Sequence, residues 1–307
     1  MKRLLLLFIF GCNSGSAAVV ETISSAAATT ASEAPVPTVE STATAEPAPP
    51  QERLLAQFTT RFLAGPKVDG RVQNISLLSA KLADVTVAPG QEFSFNQTVG
   101  PRTEALGFKS ATTLFMGEKT EGIGGGSCQV SSTLYAAVMY AGVTITDRRP
   151  HSRPSAYIEQ GLDATVSYPK ECQSKKPDPA VCYDLKFSNP YSFPLHIRSE
   201  VSQELDKDEK RSLTISVFGD GITPKIETQW KAWSTPPFEP RYRRVHFWKN
   251  DRKRLKQAGQ PGLEGARYWT LTYADGHVEK REVISRYKPV PEVWEVGMEW
   301  QDPEAVE

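Results

Sequence analysis

One cysteine of the sequence has the surroundings of a reactive thiol. Cys128 follows the glycine run 124–126 and comes directly before a helical pattern over residues 129–141. Glycines without side chains let a substrate approach closely, and the N-terminus of a helix favours the thiolate over the thiol. The sequence therefore predicts that Cys128 is a nucleophile.

Two further residues complete a pattern typical of nucleophilic catalysis. His151 lies 23 residues after Cys128, and Asp163 lies 12 residues after His151. In a triad of this kind the thiol attacks a carbonyl, the imidazole carries the proton, and the carboxylate orients the imidazole. We expect Cys128, His151 and Asp163 to meet in the folded protein and to be catalytic.

Neighbouring residues are candidates for holding the substrate. The backbone amides around Gly126, Ser127 and Gln129 are placed to bind an oxyanion at the start of the predicted helix. Arg148 and Arg149 precede His151 and have the bidentate geometry that recognises a carboxylate or a phosphate. A solvated loop is an equal interpretation for the two arginines.

Other interpretations of this region stay open. A cysteine under a glycine loop is often a buried structural residue, and the same residues also suit a binding pocket without catalysis. The sequence has no cluster of Cys and His at zinc spacing, and no Lys or Thr follows the glycine run in the register of a phosphate-binding loop. We expect no cofactor and no metal.

The elements that must position these residues form an α+β domain. Apolar residues recur at helical spacing over 54–63 and 72–82, which predicts two N-terminal helices before the cysteine-bearing helix 129–141. An antiparallel sheet should follow, with strands at 143–147, 156–159, 164–167, 183–187, 195–197 and 213–217. Beyond a break near 219–221 the sequence predicts a small all-β domain.

The N-terminus predicts export. Lys2 and Arg3 precede the apolar run 4–11, a layout typical of a signal peptide, and Cys12 stands where bacterial lipoproteins carry their lipid. The run is too short to cross a membrane as a helix. We expect residues 1–11 to be a signal peptide and Cys12 to be lipidated; an ordinary secretory signal is the alternative.

Export bears on the remaining cysteines. Cys172 and Cys182 bracket a polar, proline-containing stretch whose length suits a loop disulfide in an oxidising compartment. We predict that they pair with each other. With Cys12 lipidated, Cys128 is the thiol left without a partner.

Charge is distributed unevenly along the 307 residues. The chain has 36 basic and 36 acidic residues, but residues 12–52 contain no basic residue and read as a disordered Ala/Thr/Pro/Glu-rich tether. Residues 225–290 contain 15 basic and 7 acidic residues. This excess indicates either a solvated face or attraction to an anionic envelope polymer or lipid headgroup. Without residues 1–52 the chain has 34 basic and 31 acidic residues, and this net charge of about +3 argues against nucleic-acid binding.

Several separated motifs together resemble the VanW family, which is named for its association with vancomycin-resistance genes and has no defined biochemical role. They are the sequences PGQEFSFN from Pro89, GPRT from Gly100, GGGSCQVSSTLY from Gly124, HS at His151 and GLDAT from Gly161. The resemblance covers residues 53–218.

The remaining part, residues 219–307, is similar to the G-five domain, a β-rich module proposed to bind N-acetylglucosamine. The residues that carry this resemblance are the GQPG sequence from Gly259, the Asp275–Gly276 pair and the VWEVG sequence from Val293. It implies that Trp269 and Trp294 stack on glycans, although the glycines alone indicate only tight turns.

The order Cys, His, Asp, with the cysteine beginning a helix, is similar in outline to the transglutaminase-like branch of papain-type thiol enzymes. Together these resemblances imply a lipoprotein facing the periplasm or the cell surface, held at the membrane only by its lipid. It would act on peptidoglycan or another envelope polymer as a thiol-dependent amide hydrolase or acyltransferase. The alternative is a non-catalytic protein that binds peptidoglycan or glycans.

Overall fold

The computed structural model describes residues 52–115, 118–174 and 178–301, and these belong to one compact unit. The predicted signal peptide, Cys12 and nearly all of the predicted tether lie outside the described residues. No helix in the described ranges is both long and apolar enough to cross a membrane.

Strands outnumber helices in the described chain. The helices are α1 (Asp69–Lys81), α2 (Phe95–Val99) and α3 (Ser127–Tyr140), with short 3-10 turns at Pro66–Val68, Glu104–Leu106 and Lys170–Gln173. The strands are β1 (Arg53–Leu63), β2 (Val85–Val87), β3 (Glu92–Ser94), β4 (Ser110–Phe115), β5 (Glu118–Ile123), β6 (Thr144–Asp147), β7 (Lys186–Ser188), β8 (Leu195–Val201), β9 (Lys210–Gly219), β10 (Lys225–Ser234), β11 (Pro240–Arg244), β12 (Lys253–Gln257), β13 (Leu263–Thr272), β14 (Val278–Tyr287) and β15 (Glu292–Val296).

The first half of the described chain is built on an antiparallel sheet in the order β1-β9-β8-β2. Helix α3 packs against β1 and β9, and α1 packs against α3 and β8. The side chains between them are almost wholly buried, among them Ile75, Leu78, Leu134 and Ile215. A small sheet, β3-β7-β6, and the hairpin β4-β5 complete this half.

The prediction of a helix over 54–63 is wrong, because this segment is β1. Its apolar residues also fit a strand: Phe58, Thr60 and Phe62 alternate toward the interior, and β9 pairs with the segment along its length. A bulge between Leu54 and Ala56 breaks the strict alternation, which is why the apolar pattern imitates helical spacing. Pairing with a strand about 150 residues away overrides the local pattern.

The other predicted elements have mixed outcomes. The second predicted helix is confirmed as α1, and the cysteine-bearing helix is confirmed as α3. Strands are confirmed within or close to 143–147, 183–187, 195–197 and 213–217. The strands predicted at 156–159 and 164–167 are wrong: both segments are loops, and only Ser167 makes a strand-like bridge, to Tyr183.

The second half is all-β, as predicted. It contains two three-stranded sheets, β10-β13-β14 and β11-β15-β12. The first of these packs on the end of α3, where Trp269 of β13 meets Tyr140 edge-on with 5.3 Å between the ring centres. Trp269 and Leu271 therefore belong to the same buried core as α3.

Candidate active site

Cys128 is the second residue of α3 and lies in its first turn. The chain enters the helix through Gly126, whose φ of 112° is a conformation that favours glycine. Ser127 donates its hydroxyl to the carbonyl of Gly124 at 2.7 Å, which ties the glycine run to the helix. Cys128 as a residue is partly exposed, and its Sγ lies 3.6 Å from the carbonyl oxygen of Val166.

The loop before β7 brings His151 and Asp163 together. Nδ1 of His151 lies 3.0 Å from Oδ2 of Asp163, and the backbone N–H of His151 donates to the same oxygen at 2.5 Å. Both side chains are buried, with 6% and 2% of their surface exposed. Because Nδ1 is directed at Asp163, Nε2 is the ring nitrogen left to interact with the Cys128 thiol, and the two groups act on each other's pKa.

The pKa values of these three residues respond to one another. Burial would raise the pKa of Asp163, but hydrogen bonds from His151 and the charge of Arg148 hold it well below its usual range. Burial would lower the pKa of His151, but its hydrogen bonds with Asp163 and Cys128 raise it to about 9. The thiol pKa, which burial would raise, is lowered by hydrogen bonding and charge from His151 with smaller help from Val166 and Arg102. The lowered pKa of the thiol and the raised pKa of the imidazole favour a thiolate–imidazolium pair at neutral pH.

A tyrosine also contacts the imidazole near Nε2. The hydroxyl of Tyr157 lies 3.5 Å from Nε2 of His151, and its ring meets the imidazole edge-on. Burial and the Cys128 charge raise the pKa of Tyr157, so its hydroxyl stays protonated. Ser155 adds a contact of 3.3 Å to Nδ1.

The residues predicted to bind an oxyanion differ in which of their N–H groups already have an acceptor. The N–H groups of Ser127 and Gln129 are donated to the carbonyls of Gly124 and Gly126, which leaves the N–H groups of Gly126 and Cys128 as the candidates. The Gln129 side chain is buried: it donates to Thr60 and to the carbonyl of Arg61 in β1.

Arg148 and Arg149 do not lie free beside the imidazole. Arg148 is buried and binds Oδ1 of Asp163 at 3.0 Å, the carbonyl of Asp163 at 2.7 Å and the hydroxyl of Ser285 at 3.0 Å. Arg149 is exposed and stacks on Tyr183, 4.0 Å from the ring centre. The geometry thus engages Arg148 in holding Asp163.

Three residues close to the site were missed from the sequence. Arg71 of α1 and Arg102, which follows α2, both act electrostatically on Cys128. Tyr287 of β14 donates its hydroxyl to Oδ1 of Asp163 at 2.6 Å. Arg102 stands in the GPRT motif, a signal that was present; nothing local marks Arg71 or Tyr287.

The strands β13 and β14 also hold the loop between His151 and Asp163. The N–H of Gly161 donates to the Tyr287 hydroxyl at 2.7 Å, and the N–H of Lys288 donates to the carbonyl of Ser152 at 2.7 Å. Arg267, whose side chain is buried, donates to the carbonyl of Gln160 at 2.9 Å. The site is therefore completed by the second half of the chain.

The two predicted glycan-stacking tryptophans differ in exposure. Trp269 is 1% exposed and packs in the core, so neither face of its indole is open to a sugar, and the expectation for this residue is corrected. Trp294 of β15 is partly exposed, with the ammonium of Lys253 4.1 Å from its ring centre. Lys253 also lies over Tyr242 and Trp300.

The disulfide between Cys172 and Cys182 is confirmed, with the two Cα atoms 5.5 Å apart. Cys128 is the free cysteine of the described ranges. Within those ranges no group of His, Cys, Asp and Glu residues is arranged to hold a metal ion.

Comparison with known proteins identifies two domain families. Residues 70–207 match the family described as VanW like protein, and residues 233–299 match the G5 domain. The chain is 42% identical over 146 residues to the uncharacterized protein YoaR of Bacillus subtilis (strain 168). The aligned region covers 48% of this chain and 44% of that protein.

A second relative is the vancomycin B-type resistance protein VanW of Enterococcus faecalis (strain ATCC 700802 / V583). The identity is 30% over 104 residues, covering 32% of this chain and 38% of that protein. The chain thus spans less than half the length of either relative.

Proposed function

We propose that this chain, a VanW-like domain followed by a G5 domain, is a thiol-dependent enzyme that cleaves or transfers an amide of the cell envelope. Cys128 is the nucleophile, His151 the general acid and base, and Asp163 the residue that orients the imidazole. One observation carries the proposal: a buried carboxylate–imidazole pair, Asp163 and His151, with 3.0 Å between Oδ2 and Nδ1, interacts with a thiol in the first turn of a helix and lowers its pKa.

The chemistry follows from this arrangement. The Cys128 thiolate adds to the carbonyl carbon of the amide, and a C–S bond forms. When the C–N bond breaks, the His151 imidazolium gives its proton to the departing amine. Water, or a second amine, then attacks the thioester while His151 accepts its proton, and the thiolate is restored. The first acceptor gives hydrolysis and the second gives acyl transfer.

The start of α3 provides for the negative charge of the tetrahedral intermediate. N–H groups in the first turn of a helix have no acceptor within the helix, and Cys128 lies in the first turn of α3. Together with the N–H of Gly126 it forms the proposed oxyanion hole. Gln129 serves the site differently from the expectation, by fixing the start of α3 to β1.

The order of the three residues along the chain is similar to that of the transglutaminase-like branch of papain-type enzymes. From that branch the proposal takes the roles of the three groups: the thiol as nucleophile, the imidazole as general acid and base, and the carboxylate as the group that orients the imidazole. A papain-like arrangement of the surrounding strands is a separate hypothesis, and the chemistry does not depend on it.

The cell envelope is the proposed location. One relative is named a vancomycin resistance protein, and G5 domains are associated with cell-wall polymers. The disulfide suits an oxidising compartment. Residues 1–11 as signal peptide, Cys12 as lipid-bearing residue and 12–52 as tether complete the proposal of an exported lipoprotein that reaches nearby peptidoglycan.

Turnover of purified peptidoglycan tests the enzyme directly. The full chain should release new amino groups from the wall, Cys128→Ala should reduce the rate to background, and Cys128→Ser should retain less than about one hundredth of it. All three proteins should bind the wall equally. Full activity in Cys128→Ala would contradict the assigned nucleophile.

A wall-binding role without catalysis is the second candidate. The partly exposed Trp294, with Lys253 and Trp300 beside it, offers an aromatic and cationic face on the sheet β11-β15-β12. Co-sedimentation of the full chain with peptidoglycan tests this face. Trp294→Ala should weaken binding severalfold, whereas Trp233→Ala, at an exposed tryptophan of β10, should not; equal retention of the two variants would contradict the role of this face.

A further inference from the structure

Two arginines approach the thiol without a carboxylate partner of their own. Arg71 donates Nη2 to Oε1 of Gln129 at 2.7 Å. Arg102 donates to Oδ1 of Asn96 at 2.8 Å and to the carbonyl of Gly100 at 3.1 Å. Neither arginine takes part in any ion pair of the described ranges.

The glycine run explains how both arginines come so close. A Cβ at Gly124 would lie 2.8 Å from Cβ of Arg102, and a Cβ at Gly126 would lie 3.6 Å from Cγ of Arg71. The missing side chains thus let both arginine stems pack against the loop that leads into Cys128. This loop has a second role besides starting the helix, since the aliphatic stems of both arginines pack against it.

The charges of the site are not balanced around these arginines. Asp163 is balanced by Arg148, and a Cys128 thiolate is balanced by the His151 imidazolium. The remaining carboxylate that acts on Arg102 is Asp184, whose oxygens already accept from Ser94, Asn96 and its neighbour Leu185. One of the two guanidinium charges, of Arg71 and Arg102, therefore has no negatively charged group to balance it.

Burial makes this surplus costly. It lowers the pKa of Arg71, and it lowers the pKa of Arg102 to about 10. Retaining partly buried cations without counterions is unfavourable unless a ligand supplies the negative charge. Arg71 and Arg102 are both partly exposed, and their guanidinium nitrogens that make no hydrogen bond are not fully buried.

We propose that Arg71 and Arg102 bind a carboxylate of the substrate, next to the amide that Cys128 attacks. The inference rests on the proposed function and names its substrate class: an amide whose leaving residue ends in a free carboxylate, such as the last peptide bond of a peptide. Planar guanidinium groups match a carboxylate through paired N–H donors. The C–N bond breaks as before, and the amine departs with its carboxylate.

A pair of small alkylating reagents tests the inference without knowledge of the substrate. Iodoacetate and iodoacetamide transfer nearly the same group to a thiolate, but only iodoacetate has a carboxylate. Second-order rates of Cys128 modification in the full chain, followed by mass spectrometry of the Cys128 peptide, give their ratio. Because both reagents attack the same thiolate, the ratio is independent of the thiol pKa.

We expect the ratio of iodoacetate to iodoacetamide rates to exceed that of free cysteine by about tenfold or more, the effect of one charge-assisted hydrogen bond. Arg71→Gln and Arg102→Gln should each remove most of this preference, and Arg71→Lys should keep part of it. Lys81→Gln, the same charge change at the exposed far end of α1, should leave the ratio unchanged.

The outcomes separate the two proposals. Slow modification of Cys128 by both reagents would contradict the proposed thiol chemistry. Fast modification by iodoacetamide with no preference for iodoacetate, or a preference that survives in both glutamine variants, would overturn the carboxylate site alone. Arg71→Lys guards against a variant that loses the preference only because it misfolds.

Discussion

Asp163 is the residue on which the contacts of the site converge. One of its oxygens accepts from the backbone and ring of His151, and the other accepts from Arg148 and Tyr287. A carboxylate with this many donors stays ionised although it is buried, as the direction of its pKa indicates. Its charge in turn holds the imidazolium that keeps the thiol ionised.

Asp163→Asn should therefore be strongly destabilising. The change leaves the buried guanidinium of Arg148 without its counterion, a situation that costs about 3–5 kcal/mol. Urea denaturation of the full chain measures the free energy of unfolding. Asp84→Asn, at an exposed aspartate after α1, should change it by less than about 0.5 kcal/mol; equal effects of the two variants would contradict the network.

At this scale the sequence was most informative. Residue types with known chemistry pointed to Cys128, His151 and Asp163 as candidates. In the fold Asp163 lies against His151, and the His151 ring lowers the pKa of the Cys128 thiol. The sequence could not show that Arg148 is buried against Asp163, whereas Arg71 and Arg102 form no ion pair with a carboxylate. That distinction depends on which carboxylates lie nearby in space, and local sequence does not contain it.

Helix α3 is the element that places the thiol. Its start is fixed on both sides: Gln129 binds β1, while Ser131 and Ser132 donate to the carbonyl of Ala164 near Asp163. Ser132 also accepts from the N–H of Ala164 at 3.0 Å. The backbone groups of Ala164 bind these serines of α3, and the N–H of Thr165 donates to the carbonyl of Arg149 at 2.7 Å. The segment 164–167 therefore forms a loop instead of the predicted strand.

Gly126→Ala tests whether the backbone before α3 requires a glycine at position 126. Its positive φ disfavours alanine by about 1–2 kcal/mol, and the added Cβ would lie 2.9 Å from Cγ1 of buried Ile75. Gly90→Ala has the strain of a positive φ with open space around the Cβ, so it is the matched control. We expect a larger loss of unfolding free energy and a slower Cys128 alkylation in Gly126→Ala; identical losses would contradict this role of the loop.

Element prediction failed where pairing is distant. The apolar residues of β1 satisfy both a helix and a strand, and only β9, far along the chain, decides between them. Helices α1 and α3 were predicted correctly because their apolar pattern and their ends are local. The antiparallel pairing of β8 with β9 is local and could be predicted, whereas the places of β1 and β2 in the sheet depend on distant partners.

At the scale of the whole molecule, the two domains share one site and one core. Tyr287 and Ser285 of β14 bind Asp163 and Arg148, and Arg281 donates to the carbonyl of Val143 after α3 at 2.8 Å. The second domain is therefore part of the support of the triad as well as a candidate wall-binding module. Nothing in the sequence of either domain taken alone predicts this.

Tyr287→Phe should weaken the site across the domain boundary. It removes the hydroxyl that donates to Asp163 and accepts from Gly161, and such a loss costs about 1–3 kcal/mol. Alkylation of Cys128 at neutral pH should slow, while Tyr268→Phe, at a partly exposed tyrosine of β13, should react like the unchanged protein. A normal rate in Tyr287→Phe would contradict the support that this hydroxyl gives to the site.

The central claim is that Cys128 is a thiolate paired with the His151 imidazolium, and the pH profile of Cys128 alkylation by iodoacetamide tests it most directly. Since the thiol pKa is lowered and that of His151 is raised to about 9, the pair should persist across neutral pH. We predict that the rate levels off at a lower pH than the usual thiol pKa of about 8.5, and that in His151→Gln the rise of the rate moves to higher pH. His196→Gln, at a partly exposed histidine of β8, should keep the profile of the unchanged protein. A rate in the unchanged protein that climbs about tenfold per pH unit up to pH 8.5, unaffected by His151→Gln, would contradict the account.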